Sequence, residues 1–209
     1  MNLKTDIILA SDPSMIKRVV EVLSSGGLVA MPTDTVYGLG ALAFDPDAVN
    51  SIYAAKGRSR EKAIPILIGD LDDLEKVTVD LSSMAQILAE HFWPGPLTLI
   101  VPRGPSIPDA VSSTPGVGVR IPDHPVTRKI LRAAGPVAVT SANLAGCEDA
   151  ANAVEVLAQL EGRISLIVDA GSVGNGLAST VVNCLGSEPV ILRQGPISLG
   201  EIKEVLRLN

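Results

Sequence analysis

The spacing of apolar residues along the chain separates two kinds of segment. Apolar residues that recur every three or four positions predict helices, and short continuous apolar runs predict buried strands. Asp45-Pro46 illustrates a helix start, since aspartate caps a helix and proline suits its first position, and Gly57 should end that helix. Helices are predicted over residues 12–25, 45–57, 82–92, 126–134, 153–160 and 198–205, and strands over 28–31, 64–68, 97–101, 118–121, 137–140, 164–168, 180–184 and 190–192.

The order of these segments predicts the fold class. Helices and strands mix without strict alternation, and the last two strands follow each other with no helix between them. This pattern favours an α/β or α+β fold with a twisted, mixed open sheet over a doubly wound parallel sheet. Proline and glycine are spread through short loops, and no linker or repeat divides the chain. We therefore predict one domain over residues 1–209.

Composition narrows the class of protein. Hydrophobic residues make up 46% of the chain and charged residues 19%, which argues against disorder, and only 2% are aromatic, so the core must be aliphatic. A net charge of -6 argues against a general nucleic-acid coat but leaves room for a local basic pocket. No signal peptide or membrane-spanning run is recognisable, and the two distant cysteines, Cys147 and Cys184, suggest reduced thiols in a cytoplasmic protein.

The segment from Pro32 to Gly40 is the first candidate for chemistry. It follows a predicted strand and places hydroxyls, a phenol and two glycines in what we interpret as a loop. Loops after strand ends often hold ligands in α/β sheets, but polar residues also form ordinary turns. The residues alone favour neither interpretation.

Cations form the second candidate. Lys56, Arg58, Arg60 and Lys62 lie at a predicted helix end, where a solvated charged end is the default interpretation, although such a cluster also suits a polyphosphate. Arg120 stands alone in an apolar strand and should either pair with a carboxylate such as Asp123 or bind an anion.

Further polar residues follow later strands. Ser141 and Asn143 come after one strand and Arg193 after another, where they could donate to anionic oxygens or serve as turn residues. Neither His91 nor His124 has a second ligand at suitable spacing, so no transition-metal site is expected.

Seven sequence blocks, taken in order, resemble one known family. The blocks are PTDTVYGLG, KGR, FWPGPLTL, VGVRIP, TSAN, STVV and ILRQG, and the resemblance covers about residues 26–202. Together they resemble the YrdC-like threonylcarbamoyl-AMP synthases, in their short single-domain form. The resemblance implies a sheet that encloses a concave, positively charged cavity.

The resemblance also implies a reaction and its residues. A nucleotidyltransferase of this kind forms threonylcarbamoyl-AMP and pyrophosphate from L-threonine, bicarbonate and ATP, with Mg²⁺ accompanying ATP. Carried over block by block, the implied catalytic residues are Lys56 and Arg58, the threonine-binding residues are Thr35, Arg120, Ser141 and Ser179, and the ATP-binding residues are Lys56, Arg58, Lys62, Asn143 and Arg193. One departure is that no histidine stands after the KGR block, where many relatives have one.

The resemblance further implies a place in tRNA modification. The product would pass to the complex that transfers threonylcarbamoyl to a tRNA adenosine, with weak direct tRNA contact as an option and no membrane partner. Two other functions stay open. One is a non-catalytic module that binds double-stranded RNA or tRNA, and the other is carbamoyl adenylate formation, as in larger hydrogenase-maturation proteins.

Overall fold

A computed structural model describes residues 3–174 and 176–208 of the chain. It contains six α-helices and ten strands within these residues, together with one 3₁₀ helix at Leu71–Lys76. The strands are β1 (Asp6–Leu9), β2 (Val29–Met31), β3 (Gly38–Leu42), β4 (Ile66–Leu67), β5 (Leu97–Pro102), β6 (Gly116–Arg120), β7 (Val137–Ser141), β8 (Leu166–Asp169), β9 (Thr180–Asn183) and β10 (Val190–Arg193). The helices are α1 (Met15–Ser24), α2 (Pro46–Lys56), α3 (Ser83–Phe92), α4 (Pro125–Ala134), α5 (Ala153–Leu160) and α6 (Leu199–Arg207).

All ten strands join one mixed sheet. Its order is β1-β8-β2-β3-β7-β4-β6-β5-β9-β10. Four neighbouring pairs run parallel, namely β1/β8, β2/β8, β4/β6 and β5/β9, and the other five run antiparallel. The mixed sheet flanked by helices confirms the predicted fold class.

Alternate residues of the strands pack on opposite faces of the sheet, as strand geometry requires. On one face, Val137 and Val139 of β7 join a core formed with α1 and α4. On the other face, Ala138 joins a larger core that also includes Ile52 of α2 and Leu88 of α3. Helices therefore cover both faces, but α1 and α4 cover only part of the first.

Most predicted elements are confirmed, with bounds that shift by a few residues. The predicted caps are present: the Asp45 side chain accepts from two backbone N–H groups of α2, and Ser198 and Glu201 form a reciprocal capping box on α6. Strand β1 and the 3₁₀ helix are additional elements that the apolar pattern did not predict.

One interpretation of the sequence was wrong. The two glycines of the Pro32–Gly40 segment do not lie in a loop, because Gly38 and Gly40 belong to β3, between β2 and β7. A Cβ on Gly38 would lie 2.5 Å from Cγ1 of Val139, and one on Gly40 would lie 2.7 Å from Cγ1 of Val137. Glycine is required here because large side chains of β7 fill the space above β3.

Candidate functional site

A cavity of about 290 Å³ lies on the part of the sheet that α1 and α4 leave uncovered. Its floor is formed by six adjacent strands, from β3 through β7, β4, β6 and β5 to β9. Small or polar residues at alternate positions of these strands face it, such as Gly118 in β6 and Thr98 in β5. Their neighbours, Val119 and Leu99, point into the core on the opposite face. The cavity therefore exists because one face of these strands carries little side-chain volume.

The loop between β2 and β3 forms one wall. Thr33 Oγ1 accepts from the backbone N–H groups of Thr35 and Val36, both at 3.2 Å, and donates to the Val36 carbonyl at 2.6 Å. These bonds close the turn locally and leave the buried Thr35 hydroxyl at the cavity. Tyr37, by contrast, is fully buried, and its hydroxyl bonds the backbone of residues 170 and 171. The phenol of this segment therefore anchors the loop rather than lining the cavity.

Arg120, at the end of β6, is a buried cation with a partner. Its Nη2 donates to Asp34 Oδ1, its Nη1 to Thr35 Oγ1 at 3.1 Å, and its Nε to the Gly95 carbonyl at 2.9 Å. Burial lowers the pKa of Arg120, the Asp34 carboxylate opposes this effect, and nearby Arg193 adds to it. The expected ion pair is present, but its partner is Asp34 rather than Asp123, whose backbone N–H also donates to Asp34.

Arg58 reaches the cavity because the chain turns sharply after α2. Gly57 caps the helix in the left-handed conformation, with φ 61° and ψ 34°, which glycine adopts at little cost. The Arg58 side chain then donates to the carbonyls of Lys62 and Ala63, at 3.4 and 3.2 Å. Arg58 is partly buried, and the loss of hydration lowers the pKa of its guanidinium, with Tyr53 opposing the shift.

Arg193, at the end of β10, also lines the cavity. Its Nε and Nη2 donate to the Ser179 carbonyl at 3.0 and 2.9 Å, and Nη2 also donates to Ser179 Oγ at 3.1 Å. That hydroxyl lies 2.8 Å from Thr98 Oγ1. Much of the Arg193 side chain is exposed, but partial dehydration of its guanidinium lowers its pKa, with Asp149 opposing and Arg58 adding to the shift.

The three arginines that line the cavity differ in their partners. Arg120 is neutralised by Asp34. Arg58 and Arg193 also line the cavity, and neither forms a salt bridge within residues 3–174 and 176–208. Guanidinium groups that are partly dehydrated and lack a carboxylate partner favour an anionic ligand such as phosphate.

At the end of β7, only one of the two site residues implied by the resemblance lines the cavity. Ser141 lines the cavity, but Asn143 is buried behind it and does not. Lys56 is also buried, only 3% exposed, and its ammonium group donates to the Ser141 and Asn143 carbonyls and to Asn143 Oδ1. Lys62 is exposed and lies outside the cavity lining of the described residues.

The structure thus brings together six of the nine site residues implied by the sequence. Those that line the cavity are Thr35, Arg58, Arg120, Ser141, Ser179 and Arg193. Four further polar residues line the cavity without having been assigned a role, namely Thr33, Thr98, Thr140 and Asp149. The alternation of Thr98 with Leu97 and Leu99 was a signal for an inward-facing hydroxyl, whereas nothing local marked Asp149.

The described part of the chain contains neither a candidate metal cluster nor a helix that could span a membrane. No group of three or more histidine, cysteine, aspartate or glutamate side chains there could hold a metal ion. None of the described helices combines the length and apolar character needed to cross a bilayer. Cys184 is buried and Cys147 exposed, and both are free thiols.

Comparison with known proteins finds a matching family model and related proteins. The Sua5/YciO/YrdC family model, described as "Telomere recombination", matches residues 21–195. Threonylcarbamoyl-AMP synthase of Bacillus subtilis is 41% identical over 205 residues, which cover 97% of this chain and 59% of that protein. A putative threonylcarbamoyl-AMP synthase of Mycobacterium tuberculosis is 38% identical over 210 residues, covering 98% of this chain and 97% of that protein.

A solved structure agrees with these relatives. The crystal structure of Pyrococcus abyssi Sua5 in complex with L-threonine matches with a TM-score of 0.92 and 35% identity, over 97% of this chain and 60% of that one. The chain thus spans about three fifths of the B. subtilis and P. abyssi proteins. From the match over residues 21–195 and from these relatives, the chain belongs to the Sua5/YciO/YrdC family.

Proposed function

We propose that this chain is a nucleotidyltransferase that forms threonylcarbamoyl-AMP from L-threonine, bicarbonate and ATP. The observation that carries the proposal is one cavity lined both by an arginine that a carboxylate neutralises and by two arginines that form no salt bridge among the described residues. The names of the B. subtilis relative and of the threonine-bound P. abyssi structure support both the product and the amino acid.

The neutralised Arg120 suits an amino acid. A guanidinium has five N–H donors, and Arg120 uses three of them on Gly95, Thr35 and Asp34. Two donors remain for a carboxylate. Asp34 already balances the charge of Arg120. An amino acid carries both a carboxylate and an amino group, so its binding beside this pair would add little net charge.

The two arginines without a salt bridge suit a polyphosphate. Arg58 and Arg193 would offset the charge on the phosphates of ATP, bound in the same cavity as the amino acid. Mg²⁺ would enter with ATP, held mainly by phosphate oxygens and water, as this ion prefers. This fits the residues present, since Asp149 is the one carboxylate among the described residues that line the cavity.

The reaction needs positioning more than a protein nucleophile. The amino group of threonine and bicarbonate give N-carboxythreonine and water. An oxygen of the new N-carboxylate group attacks the α-phosphorus, the bond from that phosphorus to the oxygen bridging to the β-phosphate breaks, and pyrophosphate leaves. Such a step is accelerated by alignment and by stabilisation of charge on the phosphates. A cavity lined by arginines and hydroxyls supplies both.

The experiment that tests the proposal is pyrophosphate release from MgATP, measured with and without threonine and bicarbonate. Release that requires both substrates is the expected result. A folded sample that releases none but binds tRNA in a salt-sensitive manner would refute the synthase reaction and support the RNA-binding alternative. We also propose a cytoplasmic role in tRNA modification, with the product passed to a threonylcarbamoyl transferase complex.

Arg58→Ala tests the proposed phosphate contact within the same assay. Its guanidinium donates only to two backbone carbonyls among the bonds described, so its loss should leave the fold intact. Turnover should fall by about tenfold or more, as expected when a charged hydrogen bond is lost. Arg18→Ala is the matched control, because Arg18 forms an exposed ion pair with Asp6 far from the cavity. Equal turnover in both variants would contradict the assignment.

A further inference from the structure

Lys56 has no N–H group left for a ligand. An ammonium group has three donors, and those of Lys56 point to the Ser141 carbonyl, the Asn143 carbonyl and Asn143 Oδ1, the last at 3.0 Å. The side chain is only 3% exposed and does not line the cavity. Burial lowers the pKa of Lys56 to about 8, with Arg58 adding to the shift and Asp149 opposing it, so the amine is still largely protonated at pH 7.

The lysine decides how the Asn143 amide is oriented. Lysine can only donate, so the amide atom that faces it must be the oxygen. The amide nitrogen then faces the Cys147 carbonyl, to which it donates at 2.7 Å. Both ends of the amide are thereby fixed, and neither points into the cavity.

The orientation of the amide in turn decides the role of Ser141. Its Oγ lies 2.6 Å from Asn143 Oδ1, and since that oxygen can only accept, the serine hydroxyl must donate to it. The proton of Ser141 is therefore committed to Asn143. What Ser141 offers to the cavity is an oxygen with free lone pairs, which can accept a hydrogen bond from a ligand but cannot donate one to a phosphate.

We propose that Lys56 is a positioning residue, which through Asn143 sets Ser141 as a hydrogen-bond acceptor for an N–H or O–H group of the amino acid substrate. This inference rests on the proposed function for the identity of the substrate. It replaces the direct ATP contact that the resemblance implied for Lys56 and Asn143. The backbone joins the same two segments, because the Lys56 carbonyl accepts from the Ala145 N–H at 2.9 Å.

The decisive measurement is threonine affinity in the absence of ATP, for Lys56→Met, Ser141→Ala and the double variant. We expect each single variant to weaken threonine binding by about tenfold or more, the cost of losing a hydrogen bond near a charged group. The double variant should be no weaker than the worse single variant, because both remove the same interaction. Lys129→Met, which removes an exposed lysine of α4, is the control and should bind as the unsubstituted protein does.

Pyrophosphate affinity separates the alternatives. If Lys56→Met weakens pyrophosphate binding and leaves threonine binding unchanged, Lys56 is a phosphate ligand and the inference is wrong. Additive losses in the double variant would also overturn it. A variant that is less stable to urea but binds threonine normally would show that Lys56 only supports the fold.

A readout without substrate keeps the two proposals distinct. If the unsubstituted protein binds no threonine, the proposed function fails, yet the positioning role can still be tested by hydrogen exchange. Lys56→Met should then increase exchange of the Ala145 amide and its neighbours in 142–147, while the amides of α1 stay protected. Unchanged exchange in 142–147 would refute the positioning role.

Discussion

The pairing of Arg120 with Asp34 leads to a quantitative prediction for Arg120→Met. The Arg120 side chain is 7% exposed and that of Asp34 is 14% exposed, so the pair is shielded from water. Methionine fills much of the same space but leaves the carboxylate without its counter-charge. It also removes the donors to Thr35 Oγ1 and the Gly95 carbonyl.

Removing one partner of a buried ion pair costs about 3–5 kcal/mol, mainly because the remaining charge stays buried. We therefore expect Arg120→Met to lower the free energy of unfolding by that amount. Adding Asp34→Asn removes the stranded charge and should restore about 1–2 kcal/mol, since a neutral amide is cheaper to bury than a carboxylate.

Urea unfolding of the unsubstituted protein, both single variants and the double variant gives all four values of the cycle. Threonine affinity is measured for the same four proteins. Both proteins that carry Arg120→Met should lose threonine binding, because the arginine proposed to hold the threonine carboxylate is gone. A cost below about 1 kcal/mol for Arg120→Met would refute the burial argument. A double variant less stable than Arg120→Met would show that Asp34 has a structural role independent of Arg120.

Two further predictions concern stability and loop packing. Hydrogen bonds donated by Arg132 and a second arginine of α4 lower the pKa of Asp70 to about 2. The stabilisation that the ionised Asp70 contributes is therefore present above pH 4 and is lost as the pH falls from about 4 to 2. Asp70→Asn should therefore cost under about 1 kcal/mol at pH 7, since the group is exposed, and less at pH 3, and an equal cost at both would exclude the ion pair as its source. Gly174→Ala should weaken threonine binding, because its Cβ would lie 1.9 Å from the Thr35 carbonyl oxygen, whereas Gly176→Ala, with a similar φ of 70° and no such neighbour, should not.

Much of the fold followed from the apolar pattern because the sheet obeys simple alternation. β6 is typical, since its valines point into the core and Gly118 and Arg120 face the cavity. β1 was not predicted, because its exposed edge position leaves Ile7 and Leu9 half in water and its sequence lacks a continuous buried run. β3 was misread because glycines usually mark loops, and the close approach of β7 is a long-range contact.

The candidate site was predictable where a side chain reaches the cavity directly. The resemblance of the blocks implied Arg58 and Arg120, and both line it. Lys56 could not be placed in the same way. Whether a lysine at a helix end turns toward the ligand or toward backbone carbonyls depends on the path of residues 141–145, which local sequence does not reveal.

The strand order also has a consequence for synthesis of the chain on the ribosome. β8 lies between β1 and β2 and runs parallel to both, so the first two strands have no pairing partner between them until residues 166–169 have emerged. At typical elongation rates of about 5–20 residues per second, these edges stay open for many seconds. Unpaired edges promote association with other chains. The N-terminal half of the nascent protein should therefore depend on protection from such association. The lining of the cavity is complete only after Arg193 has left the exit tunnel.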